Sequence, residues 1–267
     1  MSVRFCRFQH NSRAEYGLVE SVAGKDQITR VFLKPPDDGG DPEDLPTKAI
    51  ARLPLEEAEL LVPVRPSKII CVGRNYRAHA AELGNEVPTE PLLFFKPPSS
   101  LLATGGVIRR PRISQRTDYE GELAVVMGRR CYKLAADQDV RPLILGYTVL
   151  NDFTARDIQK KDSQWTRGKG FDTFCPVGPV VTDEIDPWAG VNVETRVNGE
   201  IRQHGNTRDF IFSLDTVIRY ISDVMTLEPG DVIATGTPEG VGPVMAGDVI
   251  EITIEGLGTL RNPVVDE

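Results

Sequence analysis

The chain has 267 residues, 31 of them basic and 39 acidic, which gives a formal net charge of −8 at pH 7. An acidic balance argues against a nucleic-acid-binding surface. No run reaches the roughly 18 apolar residues that a membrane span needs, and the N-terminus MSVRFCRFQH lacks the apolar core of a signal peptide. We therefore expect a cytoplasmic protein with no nucleic-acid or membrane partner.

Short alternating segments dominate the first part of the chain. VRFCRF, YGLVESV and TRVFL have the period of β-strands, and the Pro/Gly/Asp cluster KPPDDGGDPEDLP that follows them is typical of a loop or linker. The sequence therefore predicts a small β-containing module at residues 1–62 and a main domain at residues 63–267.

The main domain opens with a compact strand, Ile69 to Val72, and a helix predicted from Tyr76 to Leu83 and ended by Gly84. SLDTVIRYISDVM predicts another helix, with Ser213 as its N-cap. Asn198-Gly199 in RVNGEIR predicts a β-hairpin. Strand patterns outnumber helical ones and do not alternate with them, so we expect an α+β, mainly β fold rather than a βαβ fold.

Two glutamates, Glu120 and Glu122, interrupt an apolar pattern in TDYEGELAVVMG. In an extended strand they point to the same face, where like charges need solvent or a cation. A solvent-facing strand edge would explain the pair, but the apolar LAVVMG indicates a strand that runs inward. Asp152 ends another apolar strand, LILGYTVL. Three carboxylates make an oxygen-only set that suits Mg²⁺ or Mn²⁺.

A series of blocks from about residue 66 onward carries a resemblance to the fumarylacetoacetate hydrolase family. The blocks are VGRNYRAHAAE, LLFFKPPSS, DYEGELAVVMG, NDFTARDIQ, WTRGKGFDTFCPVGP, VNGEIRQ and GDVIATGTPEGVGP. The N-terminal module also resembles the one that precedes the catalytic domain in many bacterial members. The resemblance implies a mixed β-roll around Mg²⁺ or Mn²⁺, generally in a homodimer, with Glu120, Glu122 and Asp152 as the metal ligands.

A 2-oxo acid is the substrate class that such a site fits, because a dication polarises the keto group and stabilises an enolate. The leading expectation is a hydrolase or lyase that cleaves the C–C bond next to a 2-oxo acid, either an acylpyruvate-type hydrolase or an oxaloacetate decarboxylase. An isomerase or decarboxylase of aromatic catabolism, acting on compounds such as 2-hydroxyhepta-2,4-diene-1,7-dioate, is the alternative. A metal-binding protein without activity is the third.

His79 and Glu82 are three residues apart on the predicted helix, so their side chains can touch. A carboxylate beside an imidazole fixes its tautomer and raises its basicity, as a general base requires. A solvated surface pair is the simpler explanation. The resemblance implies that the two activate water from a lid over the metal, and that Lys169 offsets negative charge on an oxygen at the metal.

The resemblance also implies the residues that contact the substrate. They are Arg156, Gln159 and Thr237, together with Arg74 and Tyr76. Thr237 lies in ATGTPEG, a Gly/Pro loop whose threonine hydroxyl or amide is expected to bind the substrate carboxylate. This loop lacks the GK[ST] ending of a phosphate-binding loop.

Overall fold

The structure of the protein is a computed structural model that describes residues 3–82, 84 and 86–267. Its N-terminal strands are β1 (Arg4–His10), β2 (Arg13–Val22), β3 (Lys25–Phe32), β4 (Thr47–Pro54) and β5 (Leu60–Leu61). The later strands are β6 (Ile69–Gly73), β7 (Leu92–Lys96), β8 (Leu101–Leu102), β9 (Ile108–Arg110), β10 (Thr117–Tyr119), β11 (Gly121–Met127), β12 (Ile144–Asn151), β13 (Thr154–Ala155), β14 (Cys175–Thr182), β15 (Asn192–Val197), β16 (Glu200–Asn206), β17 (Val232–Ala234), β18 (Gly242–Val244), β19 (Val249–Ile254) and β20 (Gly258–Asp266).

The largest sheet runs through both parts of the chain. Its order is β4-β3-β2-β1-β14-β12-β11-β17-β6-β7, with β5 beside β1 and β8 beside β14. Most pairs are antiparallel, but β6 is parallel to β17 and β8 is parallel to β14. The N-terminal strands therefore extend the same sheet as the main domain, and the boundary between residues 62 and 63 stays a prediction.

Two smaller sheets complete the fold, with the orders β16-β15-β19-β20-β9 and β13-β10-β18. The hairpin between β15 and β16 turns at Asn198 and Gly199, both of which have positive φ angles, 54° and 81°. This is the backbone that an Asn-Gly pair favours in a two-residue hairpin. The predictions of this hairpin and of a mainly β fold with mixed sheets are confirmed.

β11 lies at the centre of the core and is buried on both faces. Leu123 and Val125 pack in one apolar cluster with Ile252 of β19, while Ala124 and Val126 pack in another with Phe5 of β1. Glu120, which immediately precedes this strand, and Glu122, its second residue, are only 4% and 2% exposed. A solvent-facing edge is thereby excluded as the explanation for the two glutamates.

The helices are short and lie around the sheets. They are α1 (Arg77–Glu82), α2 (Arg156–Lys161), α3 (Thr166–Lys169) and α4 (Leu214–Val224). α4 was predicted, and Ser213 caps it by accepting a hydrogen bond from the Thr216 N–H. α1 begins after Tyr76, which forms an isolated β-bridge with Phe210, and Leu83, its predicted last residue, lies outside the described residues. α2 and α3 are too brief for a helical period to have predicted them.

Within residues 3–82, 84 and 86–267, no helix combines the length and the apolar character needed to cross a membrane.

Candidate active site

A cavity of about 330 Å³ brings together nine of the eleven residues that the sequence singled out. These nine are Arg74, His79, Glu120, Glu122, Asp152, Arg156, Gln159, Lys169 and Thr237. Glu82 and Tyr76 do not line it. The cavity lies at the C-terminal ends of β6 and β12 and at the start of β11, so the ends of three strands of the largest sheet contribute to its lining.

The close packing at Gly121 explains why the two glutamates on either side of it both face the cavity. A Cβ at Gly121 would lie 2.2 Å from Thr195 Oγ1 on β15, a distance that no side chain tolerates. The Gly121 N–H donates to Gln203 Oε1 at 3.0 Å. Gly121 is packed directly against β15 of the five-stranded sheet. The side chains of Glu120 and Glu122 therefore project to the opposite face of β11.

Asp152 reaches the same point from the neighbouring strand. β12 pairs with β11 so that Leu150 is opposite Glu122, and the Asp152 N–H donates to the Glu120 carbonyl oxygen at 2.9 Å. One carboxylate oxygen each from Glu120, Glu122 and Asp152 lie within 4.8 Å of one another. The structure thus brings together the three carboxylates that the resemblance implies as metal ligands.

Two buried lysines neutralise part of this charge. Lys169 Nζ donates to Glu120 Oε2 at 2.7 Å and to Asp152 Oδ2 at 2.5 Å. Burial alone would lower the pKa of Lys169, but Asp152 and Glu120 outweigh it and raise that pKa above its usual value. Lys96, the last residue of β7, donates to Asp152 Oδ1 at 2.6 Å from the other side. No pattern in the sequence singles out Lys96.

Arg156 forms a buried ion pair with Glu120. Its guanidinium hydrogen-bonds to Glu120 and, through Nε, to Asp118 Oδ2 at 2.9 Å. Another of its nitrogens donates to Gln159 Oε1 at 2.7 Å, which leaves the Gln159 amide nitrogen to act as a donor in the cavity. Burial raises the pKa of Glu120, but Lys169 and Arg156 more than offset this and hold the pKa well below its usual range.

Glu122 has no such counter-cation among the described residues. Its Oε2 accepts a hydrogen bond from the Gly236 N–H at 2.7 Å. Burial, then the charges of Asp152 and Glu120, raise its pKa well above the usual 4.5. A compact, buried, oxygen-only set in which one carboxylate lacks a positive partner fits a hard dication, so these residues suit Mg²⁺ or Mn²⁺.

His79 lies in α1 and is 4% exposed, so it does not belong to a solvated surface pair. Its Nδ1 is 3.5 Å from Glu82 Oε2, which is long for a hydrogen bond, and this nitrogen has no hydrogen-bond partner among the described residues. Burial lowers the pKa of His79 below 6.5, although Glu120 and Glu82 oppose that shift. The imidazole is therefore neutral near pH 7 and able to accept a proton.

Glu82 connects α1 to the loop that carries Thr237. Its two carboxylate oxygens accept from the Gly240 N–H at 3.1 and 3.2 Å. The Thr237 hydroxyl donates to the Gly121 carbonyl oxygen at 2.9 Å and accepts from Gln203 Nε2 at 2.8 Å. With the hydroxyl proton committed, the amide is the donor that Thr237 can offer to a substrate.

Tyr76 lies outside the cavity lining. It is buried beside Phe210, with ring centroids 5.1 Å apart, and its hydroxyl has no hydrogen-bond partner within the described part of the chain. Burial first, and the nearby charge of Glu122 second, raise the pKa of Tyr76. Its contact with substrate stays a prediction.

Loss of Lys96 is expected to destabilise the protein severely. Lys96→Met would leave Asp152 facing like charges with one counter-cation fewer, and breaking a buried ion pair costs about 3–5 kcal/mol. Urea unfolding, compared with the exposed-site control Lys161→Met, measures the effect. A free energy of unfolding within about 1 kcal/mol of the control would contradict this account of Lys96.

A β-fold whose cavity combines clustered carboxylates, a neutral histidine and a buried lysine has the composition of an acid–base enzyme site. Comparison with known proteins specifies the class further. Residues 68–265 match the model of the fumarylacetoacetate (FAA) hydrolase C-terminal domain, and residues 3–63 match the model described as Rv2993c-like, N-terminal. The chain belongs to the fumarylacetoacetate hydrolase family.

Relatives in this family carry several activities. Oxaloacetate tautomerase YisK of Bacillus subtilis is 45% identical over 224 residues, covering 79% of this chain and 74% of its own. The structure of 5-carboxymethyl-2-hydroxymuconate delta-isomerase from Mycobacterium smegmatis is 39% identical with a TM-score of 0.88, covering 99% and 100%. Fumarylpyruvate hydrolase from Pseudomonas aeruginosa, solved with Mn²⁺ and pyruvate, is 33% identical with a TM-score of 0.71, covering 77% and 91%.

Proposed function

We propose that this protein is an enzyme that moves a proton to and from C3, the carbon next to the keto group, of a 2-oxo acid. The observation that carries the proposal is the buried imidazole of His79, 4% exposed, in the same cavity as the three clustered carboxylates. A base of this kind is required for proton transfer at carbon.

Mg²⁺ or Mn²⁺ is the cofactor that we propose, with Glu120, Glu122 and Asp152 as its ligands. When bound, the cation would attract the carboxylate and keto oxygens of the substrate and stabilise negative charge on the keto oxygen. The fumarylpyruvate hydrolase relative, whose structure contains Mn²⁺ and pyruvate, supports both the metal and the substrate class.

Four residues of the protein have separate roles in the proton transfer. His79 takes the C3 proton, with Nε2 as the accepting atom because Nδ1 lies toward Glu82. The electron pair of the C–H bond forms the C2–C3 double bond, the keto oxygen takes a proton from water, and the His79 imidazolium returns the C3 proton to the hydroxide that is left. Lys169 Nζ, held beside Glu120 and Asp152, donates a hydrogen bond to that oxygen as its charge develops. The Thr237 amide and the Gln159 side-chain nitrogen bind the substrate carboxylate.

Keto–enol tautomerisation is the simplest net reaction of these steps, because the proton returns and no further reactant enters. The 45% identity with an oxaloacetate tautomerase supports it as the leading activity.

Cleavage of a C–C bond is the second candidate, and the position of Glu82 favours it. With Glu82 Oε2 only 3.5 Å from His79 Nδ1, a small approach of the two would make a carboxylate–imidazole dyad able to deprotonate water. Water would then add to the distal carbonyl of an acylpyruvate. The C–C bond would break with its electron pair moving to C3, and C3 would take the proton that His79 had removed from water, which gives a carboxylic acid and pyruvate.

The test is to follow three reactions side by side with Mg²⁺, with Mn²⁺ and with excess chelator. They are enol formation and decay in oxaloacetate by ultraviolet absorbance, pyruvate release from oxaloacetate, and pyruvate release from acetylpyruvate. We expect metal-dependent tautomerisation above the rate of metal alone. Pyruvate from oxaloacetate would identify a decarboxylase, and pyruvate from acetylpyruvate a hydrolase. No turnover in any of the three, by protein that binds metal, would refute the proposal.

The homodimer and the cytoplasmic location remain proposals. β7 is the last strand at one end of the largest sheet, and Phe95 on it is 48% exposed. An open strand edge with an exposed aromatic ring supports association with a second copy.

A further inference from the structure

One buried glutamine holds the loop that follows β17, residues 235–241, against the rest of the site. Gln203 lies on β16 of the five-stranded sheet and is 1% exposed. Its Nε2 donates to Thr237 Oγ1 at 2.8 Å and to the Pro238 carbonyl oxygen at 2.9 Å. Gln203 therefore binds two consecutive residues of the loop that carries the proposed donor to the substrate carboxylate.

Three hydrogen bonds form a closed ring through Gln203, Thr237 and Gly121. The Gly121 N–H donates to Gln203 Oε1 at 3.0 Å, and Gln203 Nε2 donates to Thr237 Oγ1 at 2.8 Å. The Thr237 hydroxyl donates to the Gly121 carbonyl oxygen at 2.9 Å, which closes the ring. Only one orientation of the Gln203 amide satisfies these partners, because the opposite one would turn its oxygen toward the Pro238 carbonyl oxygen.

The loop also packs closely on β16 around Gln203. A Cβ at Gly205, two residues away on the same face of β16, would lie 2.4 Å from Pro238 Cβ. The Cβ of any side chain at Gly240 would lie 2.0 Å from the Arg202 carbonyl oxygen. Because the loop lies directly on this strand, the length and the bonding of the side chain at position 203 determine where the loop sits.

Other contacts hold the carboxylate cluster without Gln203. Glu120 is bonded to Lys169 Nζ at 2.7 Å, and β11 pairs with β12 along its whole length, from Gly121 to Met127. Loss of the Gln203 amide should therefore displace the Thr237 amide while the carboxylates keep their positions.

We propose that Gln203 is a positioning residue for substrate binding, which sets the place of the Thr237 amide relative to Glu120 and Glu122 on either side of Gly121. This role rests on the proposed function, which assigns that amide to the substrate carboxylate. The carboxylate takes no part in the bond changes at C3, so its contacts stabilise the bound substrate and the transition state alike. Gln203 thus acts through Thr237 and affects substrate affinity more than the rate of the chemical step.

Gln203→Met tests this role, because methionine is similar in length and volume but replaces none of the hydrogen bonds of the amide. In whichever of the three proposed reactions the wild type catalyses, KM should rise about 10- to 100-fold, as expected when buried partners lose their hydrogen bonds. The value of kcat should stay within about threefold of the wild type, since the lost binding is uniform. Gln138→Met, at an exposed position outside the cavity lining, is the control.

Binding of oxamate gives a second readout that needs no turnover, because oxamate has a carboxylate next to a carbonyl but no C3 proton. Calorimetry with Mn²⁺ saturating should show a Kd for oxamate that rises in parallel with KM in Gln203→Met. The affinity for Mn²⁺ alone should stay within about threefold of the wild type, because the carboxylates are held by other contacts. A purely structural defect would lower the affinities for Mn²⁺ and for oxamate together.

Two further variants test the ring itself. Gln203→Asn keeps an amide but is one CH₂ shorter, so it cannot reach Gly121 and Thr237 at once, and it should raise KM with little change in kcat. Thr237→Val removes the hydroxyl and keeps the amide, which opens the ring at another atom. Because both groups belong to one ring, Gln203→Met/Thr237→Val should bind oxamate about as weakly as the weaker-binding single variant, without multiplication of the two losses.

The outcomes separate the positioning role from the proposed reaction. Wild-type affinity for oxamate in Gln203→Asn, and in Gln203→Met where it folds, would overturn the role of Gln203. So would equal falls in Mn²⁺ and oxamate affinity, and multiplied losses in the double variant would contradict the ring. No turnover by metal-loaded wild type whose oxamate binding depends on Gln203 would overturn the proposed reaction and leave the positioning role intact. A wild type that does not bind oxamate would overturn both.

Discussion

Replacement of Glu122 by glutamine is expected to lower Mn²⁺ and Mg²⁺ affinity by at least about 100-fold and to reduce turnover to the background rate. Two unit charges 4 Å apart attract by about 4 kcal/mol near a protein surface, and a dication doubles the charge. Glutamine retains the shape and an oxygen for the Gly236 N–H, so the change isolates the charge. Calorimetric titration with Mn²⁺ measures the loss, and the exposed-site variant Glu86→Gln is the control.

The same variant should be more stable than the wild type when metal is absent. The raised pKa of Glu122 means that the folded metal-free protein holds this proton more tightly than the unfolded chain. Stability is therefore lost as the pH rises from the unfolded value toward the folded one. Glutamine removes that loss, and thermal unfolding at pH 5 and pH 8 tests it. Unchanged metal affinity in Glu122→Gln would refute its assignment as a ligand.

Replacement of His79 by alanine should leave metal affinity within about threefold of the wild type while lowering kcat by about 10²–10⁴, the usual contribution of a general base. In the wild type, kcat/KM should fall at acidic pH with a midpoint below 6.5, because burial lowers the pKa of this imidazole. Only the neutral form accepts a proton, so activity is retained above the midpoint. Stopped assays from pH 5 to pH 8, with metal held saturating, give the profile.

His204→Ala is the matched control, since the His204 side chain is 63% exposed and lies outside the cavity lining. Near-full turnover by His79→Ala, on oxaloacetate and on acetylpyruvate alike, would remove His79 from the mechanism. Loss of acylpyruvate hydrolysis alone, with tautomerisation retained, would restrict the histidine to activating water.

The carboxylate cluster could be predicted from the sequence because the patterns that indicate it are local. A two-residue period places Glu120 and Glu122 on one face, and an apolar run before Asp152 indicates a strand that emerges from the core. The fold class was accessible for a similar reason, since strand patterns and the Asn198-Gly199 turn are short-range features. The particular roles of Lys169 and Thr237 came from resemblance to a family and from no pattern of their own.

The role of Lys96 could not be predicted from the sequence, because its partner Asp152 is 56 residues away. Their contact depends on β7 pairing with β6, β6 with β17 and β17 with β11, and no local pattern encodes that order. A lysine at the end of LLFFK otherwise looks like a solvated strand terminus. The φ angle of Arg74, 58°, could not be predicted either, because the neighbouring Asn75 hydrogen-bonds to Phe212 and Thr235, which are distant in the sequence.

The pairing of β1 with β14 affects the solubility of the whole chain. All eight residues of β14 are buried, so without the N-terminal strands this sheet would end in an apolar edge. With them, the last strand is β4, which exposes Lys48 and Arg52. Charged side chains on an edge strand discourage pairing with other chains. The N-terminal strands thus replace an aggregation-prone edge with a repulsive one.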